Sequence, residues 1–170
     1  MKKFAMAAGI MMFAAVASAD TSNGTLTVTG TVASSINLTI QSAGGTTSGT
    51  GTAAATSALD TVSKYSAAPT GFTLTRGASD WTLSANIGVR VDKANLTSTD
   101  YTLTAQLGGA PPTGVVWKVN NSTLSNSSPT TLTATGAYGQ TESFPWAIVT
   151  ADSAAAGSIN NSITFVATSN

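Results

Sequence analysis

The 170-residue sequence predicts an all-β fold, a sandwich of short strands behind a leader. Three observations carry this. Apolar and polar residues alternate again and again over four to eleven positions, the period of a strand with one buried face. Turn-forming Gly, Pro, Asn and Asp separate the alternating stretches. No run beyond residue 19 has the three-to-four-residue apolar spacing of an amphipathic helix.

The first element is GTLTVTGTV, Gly24 to Val32, with Leu26, Val28, Gly30 and Val32 on one face and Thr25, Thr27, Thr29 and Thr31 on the other. INLTI follows in the same parity, with Ile36, Leu38 and Ile40 inward. One unbroken strand from 26 to 40 would be roughly 50 Å long, too long for a domain of this size, so Ala33-Ser34-Ser35 is read as a break. Ala43 to Thr56 is Gly, Thr, Ser and Ala without period and reads as a loose loop, and Ala58 to Val62 reads as a short strand. Pro69-Thr70-Gly71 turns into a strand carrying Phe72 and Leu74. Gly77 to Asp80 turns into the longest one, in which Trp81, Leu83, Ala85, Ile87, Val89 and Val91 alternate before a turn at Asp92 to Asn95.

Tyr101, Leu103, Ala105 and Leu107 mark the next strand, broken by Gly108 to Gly114 with its two prolines. Val115, Trp117 and Val119 follow, then a polar loop from Asn120 to Pro129 and a short strand around Leu132 and Ala134. Phe144, Trp146 and Ile148 alternate, with Pro145 predicting an edge strand or a bulge. A small-residue turn at Ala151 to Gly157 precedes a final strand with Ile163, Phe165 and Ala167 inward. Eight to ten such strands predict an immunoglobulin-like, Greek-key β-sandwich over residues 34–170.

The opening MKKFAMAAGIMMFAAVASA has a basic start, an apolar run from Phe4 to Val16 and the small-x-small triplet Ala17-Ser18-Ala19. Residues 1–19 are therefore expected to be a cleaved signal peptide, its apolar run being shorter than the roughly 20 residues a membrane span needs. Export to the periplasm and then to the cell surface or medium is the expected route, with no membrane span after cleavage. Without Lys2 and Lys3 the chain has five basic and seven acidic residues, a net charge near −2, which does not attract nucleic acid phosphates. Stability has to come from the core, since there is no Cys.

Catalysis is not expected. There is no His to serve as general base, and without His or Cys a zinc, copper or iron–sulfur site lacks its usual ligands, so no cofactor is expected. Ser63-Lys64 could form a dyad only if adjacent side chains shared one face, which strand geometry opposes. Glu142 is the only Glu, and the paired carboxylates of a glycosidase would need a second one beside it. Asp92, Asn95 and Asp100 form a weak oxygen cluster for calcium that turn chemistry explains as well. Trp117, Tyr138 and Trp146 could make a sugar-stacking platform, although each is more simply a core residue.

The stretch TLTVTGTVASSINLTIQSAGG resembles the mature N-terminus of bacterial fimbrial subunits, above all the cysteine-free alpha-class pilins, and of the related spore coat protein U group. Ala58 to Ser63 resembles a short strand of those chains, and GSINNSITFVATSN, Gly157 to Asn170, is similar to their final strand. VRVDKAN and TATGAYG are similar to stretches in exported proteins of environmental bacteria. The chain departs from the pattern in lacking the cysteines of spore coat U domains and in ending on Thr168-Ser169-Asn170 rather than near an aromatic residue.

The resemblance implies donor-strand exchange, in which an N-terminal segment fills the groove of an incomplete sandwich in the next copy. Residues 20–33 would be the donor strand and link, and Leu26, Val28, Gly30 and Val32 the inserted, self-assembling face. Gly30 would meet a shallow pocket, or else mark a bulge or twist point in an ordinary strand. The partners implied are other copies of the chain, with a periplasmic chaperone and usher. The expected function is a non-catalytic fimbrial or surface-coat subunit. The alternative is a closed secreted sandwich that binds polysaccharide or cell wall, with residues 24–32 pairing within their own domain.

Overall fold

The computed structural model describes residues 27–44, 46–59 and 61–170. The expected signal peptide, residues 1–19, and Leu26 lie outside these. The described chain is all-β, with eleven strands and two antiparallel sheets facing each other across one core. The first sheet contains β1 (Ser35–Ser42), β4 (Thr73–Arg76), β5 (Asp80–Ala94), β10 (Thr141–Ala151), β7 (Val115–Val119) and β8 (Ser122–Thr123). The second contains β11 (Ile163–Ser169), β6 (Asp100–Leu107) and β9 (Thr130–Ala137). A small hairpin of β2 (Thr46–Ser48) and β3 (Thr56–Ala58) stands apart.

The fifteen residues of β5 organise the first sheet. One edge pairs with β10 from Asp80 to Arg90 without a register break. The other is shared end to end by β4, against Trp81 to Ser84, and β1, against Gly88 to Ala94. The order β1-β5-β10-β7 is that of the A, B, E and D strands of an immunoglobulin-like Greek key, and β6 and β11 stand where C and F would. The expected fold class is therefore observed.

Alternation explains the core. Leu83, Val89, Val91, Tyr101, Leu103, Val119 and Ile148, each at an inward position of its strand, are fully buried. Ile36, Leu38 and Ile40 of β1 pack on this core as their parity predicts. β1 bulges between Ile40 and Ser42 opposite Gly88, where a Cβ would stand 2.8 Å from the Ser42 hydroxyl.

Several local expectations need correction. The stretch 43–56 is not simply a loop: it contains β2 and the start of β3, whose Thr and Ser residues pair without any apolar period to announce them. The strand expected at Ala58–Val62 ends at Ala58. β5 continues through Asp92 to Ala94, so the turn begins at Asn95, which takes a left-handed φ of 54°. The polar stretch 120–129 holds β8, reached by a tight turn at Asn120 and Asn121 with φ of 50° and 62°, the geometry a two-residue hairpin requires.

Pro145 lies neither on an edge strand nor at a bulge. β10 is central, with β5 on one side and β7 on the other. The β7 ladder begins only at Trp146, so Pro145 occupies the last position before an N–H is needed, and its carbonyl still accepts the Asn120 N–H at 2.7 Å.

Candidate assembly groove

Both outer strands of the second sheet, β9 and β11, have one side without a described partner, and the β11 side borders a cleft. β11 pairs with β6 along its whole length, and no described strand pairs with its other side. Gly108 N–H donates to Ser162 O and Asn170 N–H donates to Asp100 O, so the even-numbered residues turn their amides to β6. By strand alternation Ile163, Phe165, Ala167 and Ser169 direct theirs to the open edge. In an immunoglobulin-like sandwich this is where the G strand lies.

The opening continues inward. β1 approaches β11 across the open side without pairing to it. Between them lies a cleft of about 300 Å³, walled by Ile40, Ala43 and Leu59 on one side and by Ile163 and Phe165 on the other, with Ile87, Trp117 and Trp146 at its base. Ile163, Phe165 and Ala167 point inward yet remain only partly buried, whereas their ladder partners on β6, Leu107, Ala105 and Leu103, are buried. An apolar face left half-covered beside a free backbone edge can accept an additional strand, with hydrogen bonds from the edge and pockets for alternate side chains.

The sequence-derived donor residues are described in part. Residues 27–34 belong to no strand, so the expected strand over Gly24 to Val32 is not formed within the single chain where it is described. Val28 is 83% exposed and Val32 79%, and a Cβ on Gly30 would have no atom within 4 Å.

The other residues singled out in the sequence are engaged elsewhere. Trp117 and Trp146 do not form an exposed sugar platform: they are only 5% and 6% exposed, stack at 5.9 Å with 17° between their planes, and Trp146 Nε1 donates to Ala43 O at 2.9 Å. Tyr138 packs on Tyr101 at 5.2 Å, with Lys93 Nζ 5.0 Å from its ring centre. Lys64 is paired with Asp152 at 2.6 Å rather than with the Ser63 hydroxyl. Asp92 is bound by Arg90, which holds the carboxyl below its usual range, and Asp100 accepts from Thr99 and Asn170. The candidate calcium ligands are thus held by separate partners.

Glu142 accepts a 2.8 Å hydrogen bond from the hydroxyl of Tyr101, a fully buried ring. Burial, then the bond to Glu142 and its charge, push the Tyr101 hydroxyl well above the ordinary tyrosine value. The folded state thus favours the neutral phenol. This contribution to stability is intact below the unfolded tyrosine value of about 10 and is lost as pH rises from there towards the folded one. The denaturant midpoint of the wild type should fall above about pH 10, and Tyr101→Phe should flatten that part of the profile while costing roughly 1–3 kcal/mol at neutral pH.

No family model matches the chain, and neither a curated protein nor a solved structure matches it.

Proposed function

We propose that the protein is a non-catalytic, exported structural subunit, fimbrial or surface-coat in type, that assembles by β-strand complementation between copies. The observation that carries this reading is the open edge of β11 above a half-covered apolar cleft, in a chain whose residues 27–34 belong to no strand. The missing position and the candidate occupant are both strand-like, and their chemistry is complementary: free amides on the edge, and Leu26, Val28 and Val32 as apolar knobs with Gly30 between. The resemblance of the N-terminal stretch to pilin donor strands supports the same reading and suggests a chaperone and usher for delivery. A closed polysaccharide module relying on Trp117 and Trp146 is less well supported, because both rings are buried.

A variant lacking residues 20–33 tests the proposal. It should remain monomeric, and a synthetic peptide of Gly24 to Val32 should raise its melting temperature, since a ligand that binds only the folded body stabilises it by mass action. A fully stable truncated domain that ignores the peptide would overturn the reading.

A further inference from the structure

A second cleft, of about 920 Å³, opens at the end of the sandwich where β10 finishes. The geometry points to a binding site here for a neutral oligosaccharide, stacked on Tyr65. The inference does not rest on the assembly reading.

The floor is built from three neighbouring inward positions. Thr150 of β10 lies between Trp81 of β5 and Val115 of β7 in the sheet, and all three line the cleft. Thr150 is 8% exposed, and its hydroxyl has no hydrogen-bond partner. A buried hydroxyl without a partner is uncommon, and rotation of the Thr150 side chain towards the cleft would present it to a ligand hydroxyl.

The rim carries Tyr65, an aromatic side chain 83% exposed. Its backbone is firmly held. Arg76 Nε donates to Lys64 O at 2.6 Å, and its terminal nitrogen donates to Ser66 O at 2.9 Å, so both carbonyls flanking Tyr65 are tied to β4. The Ser66 hydroxyl donates to Ser63 O, and Lys64 Nζ pairs with Asp152 across the cleft. An exposed ring on a loop braced at four points is a preorganised platform, because little ordering remains to be done on binding.

The lining selects the ligand class. Lys64 and Asp152 cancel in charge, so the cleft favours a neutral ligand, while both still offer hydrogen bonds. A pyranose has an apolar C–H face for the tyrosine ring and hydroxyls for the polar groups. The cleft has room for about two or three such rings, within the usual size of ligand sites.

The test uses the exported chain with cellotriose, chitotriose and maltotriose as probes. At least one should show saturation transfer from the protein and change the tryptophan emission through Trp81, with a dissociation constant no weaker than about 1 mM. Tyr65→Ala should weaken that binding roughly tenfold or more, Tyr65→Phe should preserve it, and Thr150→Val should weaken it while the fold stays intact by circular dichroism. Binding of none of the three sugars overturns the proposal, as does binding that Tyr65→Ala and Thr150→Val leave unchanged. Loss of self-association in Tyr65→Ala, without sugar binding in the wild type, would identify this rim as a contact between copies and equally overturn it.

Discussion

Val28→Asp should abolish self-association while leaving the melting temperature of the isolated monomer unchanged. Val28 is 83% exposed and belongs to no strand in the single chain, so the substitution gives up little buried surface. In the proposed assembly the same side chain enters the cleft beneath the open β11 edge. Burying a valine there contributes roughly 1.5–3 kcal/mol, and an aspartate would forfeit that and carry an unpaired charge into an apolar site. A loss of at least about 2 kcal/mol, roughly thirtyfold in the association constant, is the minimum expected. Sedimentation velocity of wild type and variant at matched concentrations reads the first effect, and thermal unfolding reads the second. A variant monomer that unfolds would mean that residues 24–32 complete their own domain, and the protein would then be a closed sandwich.

Gly136→Ala should destabilise the body severely for so small a substitution. Gly136 of β9 faces Tyr101 of β6 directly in the ladder. A Cβ at this position would stand 2.4 and 2.5 Å from two ring carbons of Tyr101 and 2.7 Å from the Glu142 carboxylate. The ring is fully buried and bonded through its hydroxyl to that carboxylate, so it cannot swing aside without breaking the bond and shifting the core. Overpacking of this kind costs about 1–3 kcal/mol, and the lost hydrogen bond adds about 1 kcal/mol or more. Urea unfolding should report the loss. The same substitution in a Tyr101→Leu background should cost much less, because the clashing ring atoms are gone, and the difference between the two measures the coupling.

Both predictions depend on positions whose role differed in legibility. Val28 stands out in the sequence because alternation and a Thr-rich opposite face identify an apolar edge even without a partner. Gly136 does not: it lies just beyond the short alternating stretch around Leu132 and Ala134, with nothing local to distinguish it. What makes it critical is a tyrosine thirty-five positions earlier that only strand pairing brings opposite. The same holds for Tyr65. Its exposure depends on Arg76 and Asp152 bracing a loop, and no local pattern around Lys64-Tyr65-Ser66 signals that.

The sequence by itself determined the all-β class, the inward parity of Ile36 to Ile40, Trp81 to Val91, Tyr101 to Leu107 and Phe144 to Ile148, and the burial of Trp117 and Trp146 as its simplest reading. These follow from alternation, a local property that each strand carries regardless of its neighbours. Tertiary structure alone decided which strands are neighbours. It made β10 central despite Pro145, because the second ladder starts one residue later. It drew β2 and β3 from a stretch without apolar period, because their pairing is through backbone rather than core. It also left β11 with an open edge, because whether a strand's second side is covered depends on every other strand's placement, and no stretch of sequence encodes that alone.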